Sequence, residues 1–190
     1  MVKRSGQIFD KAGDRRFCET EEAIFNVFAD PDVEPNIRVF TSRAGISSST
    51  FYRHHRSVYT LLNDYEQMII KQFWQFVYES INYRETSFNQ IIYRMLIFII
   101  MNKEMIGVVA SRDNYLIFYL MVRTLRSRVN LIRCECKNVD KIFDVYVCEV
   151  CGVIKNWHED GYPEQALKKV EKDIIYLSLT IEKGLGKLAN

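Results

Sequence analysis

Proline and glycine are scarce in this chain, at 3 and 8 of 190 residues. Both residues punctuate regular structure, so their scarcity argues for long, uninterrupted helices. No pair of alternating strands joined by a two-residue turn can be read, and no repeat of fixed period is evident. Catalytic signatures are missing too. There is no P-loop, no G-x-S-x-G elbow and no paired-histidine metal motif, and the three histidines are His54, His55 and His158. The sequence therefore gives no reason to expect an enzyme or a bound cofactor. Net charge is only +2, from 26 basic and 24 acidic residues, so overall charge does not announce a polyanion binder. Long apolar runs are absent as well. The longest, Met95 to Met101, is seven residues, against the roughly 20 that a membrane span requires. No apolar leader follows Lys3 and Arg4. A soluble, cytoplasmic protein that does not enter a membrane is the expectation, with its five cysteines as reduced thiols.

What is present is ample material for a helical core. Apolar residues make up 48% of the chain, including 12 Phe and 11 Tyr. Phe17 to Ala29 reads as a first helix, with Ala23, Ile24, Val27 and Phe28 as its stripe. Glu19, Glu21 and Glu22 fall in its early turns, where they favour the helix dipole. The segment Asp30-Pro31-Asp32-Val33-Glu34-Pro35 ends it.

The stretch from Asn36 to Ser57 is different in kind. Asn36 is a good N-cap for a second helix carrying Ile37, Phe40 and Ala44 on one face. Gly45 suits a left-handed stop, Ile46 can fill the corner, and Ser47 can cap a third helix running to about His54. Past that cap the residues expected to face outward are Ser48, Ser49, Thr50, Tyr52, Arg53 and His54. Hydroxyls, a guanidinium and an imidazole suit phosphates and base edges. Arg38, Arg43, Arg53 and Arg56 fall in this stretch with no acid among them, so a positive field is local to it. The pattern reads as a helix-turn-helix.

Ala44, Gly45, Ile46 and Ser47, followed by Thr50, Phe51, Tyr52 and His54, resemble the signature turn and recognition helix of the tetracycline-repressor (TetR) family. The resemblance covers roughly residues 17–62, about a quarter of the chain. It implies an all-α protein with a three-helix DNA-binding head at residues 1–62 and a helical ligand-binding and dimerisation domain at 63–190. The implied function is sequence-specific regulation of transcription, most often repression relieved by a small apolar or aromatic effector. Partners would be double-stranded DNA carrying a palindromic operator and a second copy of the chain. By resemblance Thr50, Tyr52 and His54 contact backbone or thymine methyls, and Arg38 a base or phosphate. The DNA-contact candidates are Asn36, Arg38, Ser47, Ser48, Ser49, Thr50, Tyr52, Arg53, His54 and Arg56. Two positions depart from the pattern: His55 stands where the family has an apolar aromatic, and Val58 where it has a phosphate-contacting lysine. Arg56 is placed to replace that lysine.

Beyond Ser57, taken as the cap of a long fourth helix reaching about Asn82, helices are expected near 87–101, 103–111, 114–132, 140–158 and 163–183. Tyr and Met side chains between residues 65 and 122 serve either as plain core or as the lining of an effector pocket. The last two helices are amphipathic and suit either a monomeric core or, as the resemblance implies, a dimer interface. Cys134, Cys136, Cys148 and Cys151 are weak metal candidates, since C-x-x-C gives one half of a zinc site but residues two apart on a helix diverge by about 200°. Structural thiols are the plainer alternative. An adaptor using the same fold to bind protein and a thiol- or zinc-sensing regulator remain as alternatives to the DNA-binding repressor.

Overall fold

The computed structural model describes the backbone of residues 15–80, 88–128 and 139–188. It is all-α, with no strand among the described residues. Contacts divide the chain into two compact units, one ending at Ile69 and the other beginning at Ile70. The division falls inside the fourth helix.

In the first unit, α1 spans Arg15–Ala29, two residues earlier than expected. Its first turn holds no acid. Glu19 instead pairs with Arg15 at 2.7 Å, and Glu21 is buried at 3% exposure. Glu21, Ile24, Phe25 and Phe28 follow helical spacing, so they share the inner face. The chain then turns at Asp30, whose Oδ1 accepts the Asp32 amide at 3.0 Å while Oδ2 takes Arg43 at 2.8 Å.

Helix α2 spans Ile37–Ala44 and is capped as its sequence predicts, with Asn36 Oδ1 accepting the Arg38 amide at 2.9 Å. Gly45 stops it in the left-handed region at φ +66, and the Ile46 amide donates back to the Thr41 carbonyl at 3.0 Å. A Cβ is disfavoured in that conformation, which is why glycine serves there. Helix α3 spans Ser48–His54. Ser47 Oγ accepts the Thr50 amide at 3.0 Å, the side-chain cap that a serine at this position predicts. Phe51 anchors α3, fully buried with its ring 5.9 Å from Phe40. Burying a side chain of that size contributes about 1.5–3 kcal/mol. Past α3 the backbone is extended at His55 and Ser57.

Ser57 does not cap through its side chain. Its carbonyl accepts Thr60 Oγ1 at 3.0 Å, and a short 3-10 turn at Val58–Thr60 leads into α4, Leu61–Ser80. Leu61, Tyr65 and Ile69 recur every fourth residue and are all fully buried. Tyr65 meets Phe25 edge-on at 5.3 Å and Phe28 at 4.9 Å, closing the small core of this unit.

In the second unit, Phe73 and Val77 continue the buried stripe of α4. Helices α5 (Phe88–Met101), α6 (Lys103–Arg112), α7 (Leu116–Arg128), α8 (Val139–Glu159) and α9 (Leu167–Leu188) complete it, close to the expected spans. Asn102 separates α5 from α6 and satisfies its buried amide on the Phe98 carbonyl at 2.8 Å. Helix α9 packs against α8 and α5, and α8 against α7. Gly161 (φ +79) and Tyr162 (φ +54) end α8, with the Tyr162 amide returning to the Trp157 carbonyl at 2.9 Å. The apolar run in α5 is core: Met95, Leu96 and Ile99 are fully buried. Among the described residues no single helix is long and apolar enough to cross a membrane. The apolar pair α6 and α7 is bent by 115°, and Ile106, Val109, Ile117 and Met121 are buried within the protein.

Candidate nucleic-acid interface

The turn from α2 to α3 is held at both ends by its own capping groups, so the outer face of α3 has a defined orientation within the unit. Ser47 Oγ lies 2.8 Å from Ser49 Oγ and 2.9 Å from Thr50 Oγ1, which ties three hydroxyls together over the first turn. Ser48, Ser49, Tyr52 and Arg53 are exposed on α3, as are Arg56 beyond it and Asn36 and Arg38 at the start of α2. Tyr52 shows 56% of its surface. Thr50 sits half-buried at the edge of this group, and Arg53 Nη2 approaches its hydroxyl at 3.5 Å.

Charge at this face comes from fewer arginines than the sequence holds. Arg43 is engaged by Asp30 at 2.8 Å. Arg38, Arg53 and Arg56 pair with no carboxylate among the described residues. Beside α3 lies an open cleft of about 470 Å³, bounded by Asn36 and Ile37 at the start of α2, by Tyr52, and by Ser57 and Tyr59 beyond α3. Glu34 adds an acid to its rim, and Tyr59 stands 80% exposed there.

His54 is the correction. Its chemistry predicts an outward position with Tyr52 and Arg53, but its side chain is only 6% exposed. Three residues separate it from buried Phe51, so helical spacing places both on the inner face. Its ring stacks on Phe17 at 4.4 Å, and Nδ1 lies 2.5 Å from Glu21 Oε1.

That contact belongs to a buried polar cluster that the sequence did not disclose. His55 Nε2 lies 3.2 Å from Glu21 Oε2, and His55 Nδ1 lies 2.9 Å from Asp64 Oδ2. The Thr60 hydroxyl donates to the same Asp64 oxygen at 3.3 Å. Phe51 and Tyr65 flank the His55 ring at 5.7 and 5.6 Å. Burial alone raises the Glu21 pKa, but bonds and attraction from His55 and His54 outweigh it and hold the carboxyl below its ordinary range. Burial likewise lowers His55, yet hydrogen bonds to Glu21 and Asp64 prevail and raise it above an ordinary imidazole. Burial pushes the Tyr65 phenol well up, and the two carboxylates add to the effect. The His55 imidazole thus sits inside this cluster with a carboxylate at each ring nitrogen.

The cysteine candidates Cys148 and Cys151 belong to the second unit. Cys148 is exposed on α8 and Cys151 is half-buried there, with burial pushing the Cys151 thiol up to about 12. Cys134 and Cys136 lie outside the described residues. Among the described residues no group of three or more His, Cys, Asp or Glu side chains is arranged to hold a metal ion. In the second unit Tyr115, Phe118, His158 and Tyr162 form an aromatic corner, with His158 and Tyr162 rings 5.0 Å apart. His158 Nδ1 and Tyr162 Oη are buried there with no hydrogen-bond partner among the described residues. Burial depresses the His158 pKa. Among the described residues of the last two helices, Val145, Tyr176 and Leu179 are exposed large apolar side chains, at 59%, 70% and 48%.

Compared with known protein families, with curated proteins and with solved structures, the chain matches none.

Proposed function

We propose that this chain is a dimeric, TetR-like transcriptional regulator that binds double-stranded DNA through a helix-turn-helix made by α2, the Gly45 turn and α3. It acts as a repressor released by a small effector. One observation carries the proposal. A capped seven-residue helix, anchored inward by Phe51, turns Ser48, Ser49, Tyr52 and Arg53 outward, and Arg38 and Arg56 are exposed as well. In this mechanism α3 enters the major groove. Arg53 forks onto a guanine, worth about 1–3 kcal/mol of discrimination. Hydroxyls of the first turn, Asn36 and Arg56 hold phosphates and fix register without reading sequence. His54 acts from behind the face rather than on it.

The dimer rests on the exposed apolar side chains of α8 and α9, which a second copy would cover. Two heads would then address successive major grooves about 34–36 Å apart, on a palindromic site. An apolar or aromatic effector within the second unit would favour one head spacing over another. On this reading the protein works in the cytoplasm, with no catalytic step and no cofactor.

The test is selection of duplexes from a random-sequence pool by the full-length protein, followed by affinity measurement across salt. An enriched palindromic motif, with binding that weakens steeply as salt rises, is the expected result. Failure to enrich any sequence at low salt, together with a stable protein partner in pull-down, favours the adaptor alternative.

A further inference from the structure

Glu21 stands where three elements of the N-terminal unit meet. From α1 its carboxylate reaches His54, the last residue of α3, and His55, the residue after it. His55 gives its other ring nitrogen to Asp64 in α4. The side chains of Glu21, His54 and His55 are 4%, 6% and 7% exposed, and Asp64 is 33% exposed. Both the end of α3 and the start of α4 are therefore fastened to α1 through one buried carboxylate.

The charged and titratable groups facing His55 are Glu21 from α1, His54 at the end of α3, and Asp64 and Tyr65 from α4. Thr60 in the preceding turn contributes only its hydroxyl, on Asp64. The two carboxylates carry two negative charges. When His55 is neutral, only one of its ring nitrogens can donate, so one carboxylate loses that partner in a low-dielectric interior behind a face that would meet a polyanion. When His55 is protonated, both of its ring N–H groups have a carboxylate acceptor. A nearby polyanion favours the protonated form further, by simple attraction.

We propose, resting on the DNA-binding reading above, that Glu21 and His55 are the positioning residues for α3 and that the head takes up a proton at this cluster when it binds DNA. Affinity for duplex DNA then falls as pH rises, by at most about tenfold per pH unit for one proton. Loss of that proton removes the cation that holds the end of α3 to Glu21, so the reading face loses its fixed angle as well as some attraction.

The experiment uses the full-length protein and a duplex it has selected from a random pool, at constant salt, between about pH 5.5 and 8.5, the range in which an imidazole titrates. Two readouts are taken: the dissociation constant, and the NMR titration of the His55 ring together with the amides of Ser48 to His54. For the wild type the expected result is progressive weakening with pH, and α3 amide shifts that follow the His55 titration. Glu21→Gln and His55→Phe should both flatten the pH dependence, and Glu21→Gln should uncouple the α3 amides from the ring. Variants that weaken binding equally at every pH with the slope intact would overturn the proposal, as would α3 amides that ignore the His55 titration. If no duplex is enriched while the amides still follow His55, the DNA-binding reading has failed and the affinity claim falls with it. If a duplex is enriched but both variants keep the pH dependence of the wild type, only the present inference has failed.

Discussion

Replacing Glu21 with glutamine keeps the shape of the side chain and removes its charge, so it isolates what the buried carboxylate contributes to folding. Glu21 accepts from His54 at 2.5 Å and from His55 at 3.2 Å, with all three side chains at most 7% exposed. Water therefore screens these bonds little. The substituted amide can still accept through its one oxygen, so the loss is expected near the range for a hydrogen bond to a charged group, about 1.5–3 kcal/mol. Outright breakage of a buried pair costs about 3–5 kcal/mol. For a chain of this size the smaller range corresponds to a fall in Tm of about 3–12 °C.

The pH dependence adds an independent check on the same substitution. His55 is raised above its ordinary 6.5, so the stability from its pairing is fully present below 6.5 and is lost as pH rises through the folded value. Glu21 is lowered below its ordinary 4.5, so its share is present above 4.5 and is lost as pH falls through the folded value. These are two arms of one interaction, and together they give a stability plateau between 4.5 and 6.5. Thermal unfolding followed by circular dichroism from acid to mild base should show that plateau in the wild type and a flatter curve in Glu21→Gln. A Tm within about 1 °C of wild type, with both arms unchanged, would refute the buried-cluster reasoning, because that is the size of effect expected of a surface substitution, about ±0.5 kcal/mol.

Three further outcomes follow from local geometry. Gly45→Ala, at φ +66, should destabilise the first unit by about 1–2 kcal/mol in chemical denaturation, since a Cβ is penalised in that conformation even with open space around it. Gly152, itself exposed on α8, has nothing within 4 Å of a new Cβ, so Gly152→Ala should raise the stability of an isolated protomer by roughly 0.5–1 kcal/mol. If α8 is the dimer face, the same change should weaken the dimer in analytical ultracentrifugation. In timed alkylation near pH 8, Cys148 should be modified well before Cys151, because Cys148 is exposed whereas Cys151 is half-buried with its thiol pushed up to about 12.

Capping and helix punctuation were legible because their chemistry is local. Asn36, Gly45 and Ser47 act on backbone groups within a few residues, and each does so as its residue type demands. Helix spans in the second unit were legible for the same reason, with breaks at Asn102 and at Gly161-Tyr162. The polar cluster was not, because its partners lie 33 and 34 residues apart in the chain. A glutamate in the first half of α1 reads as a dipole partner until its register is set by Ile24, Phe25 and Phe28, which place Glu21 on the same stripe. The chemistry of His54 points outward, although its spacing from Phe51 already places it inward. The 3-10 turn at Val58–Thr60 stands in place of a serine cap at Ser57, and no single-residue propensity distinguishes the two. The division of the chain within α4 leaves no trace in composition, since Leu61 to Val77 is one continuous stripe.

If the outward face of α3 reads DNA, as proposed above, Arg53 carries the discrimination between sequences. The measurement is the affinity of the wild type, Arg53→Ala and Arg43→Ala for the duplex that the wild type selects, against a shuffled duplex of equal length and at one salt concentration. Arg43 is held by Asp30 at 2.8 Å, so its removal should leave the discrimination between the two duplexes nearly unchanged. Removal of Arg53 should cut that discrimination by about five- to 150-fold, the equivalent of about 1–3 kcal/mol for one lost guanine contact. Equal discrimination by wild type and Arg53→Ala, or no discrimination by the wild type itself, would contradict it.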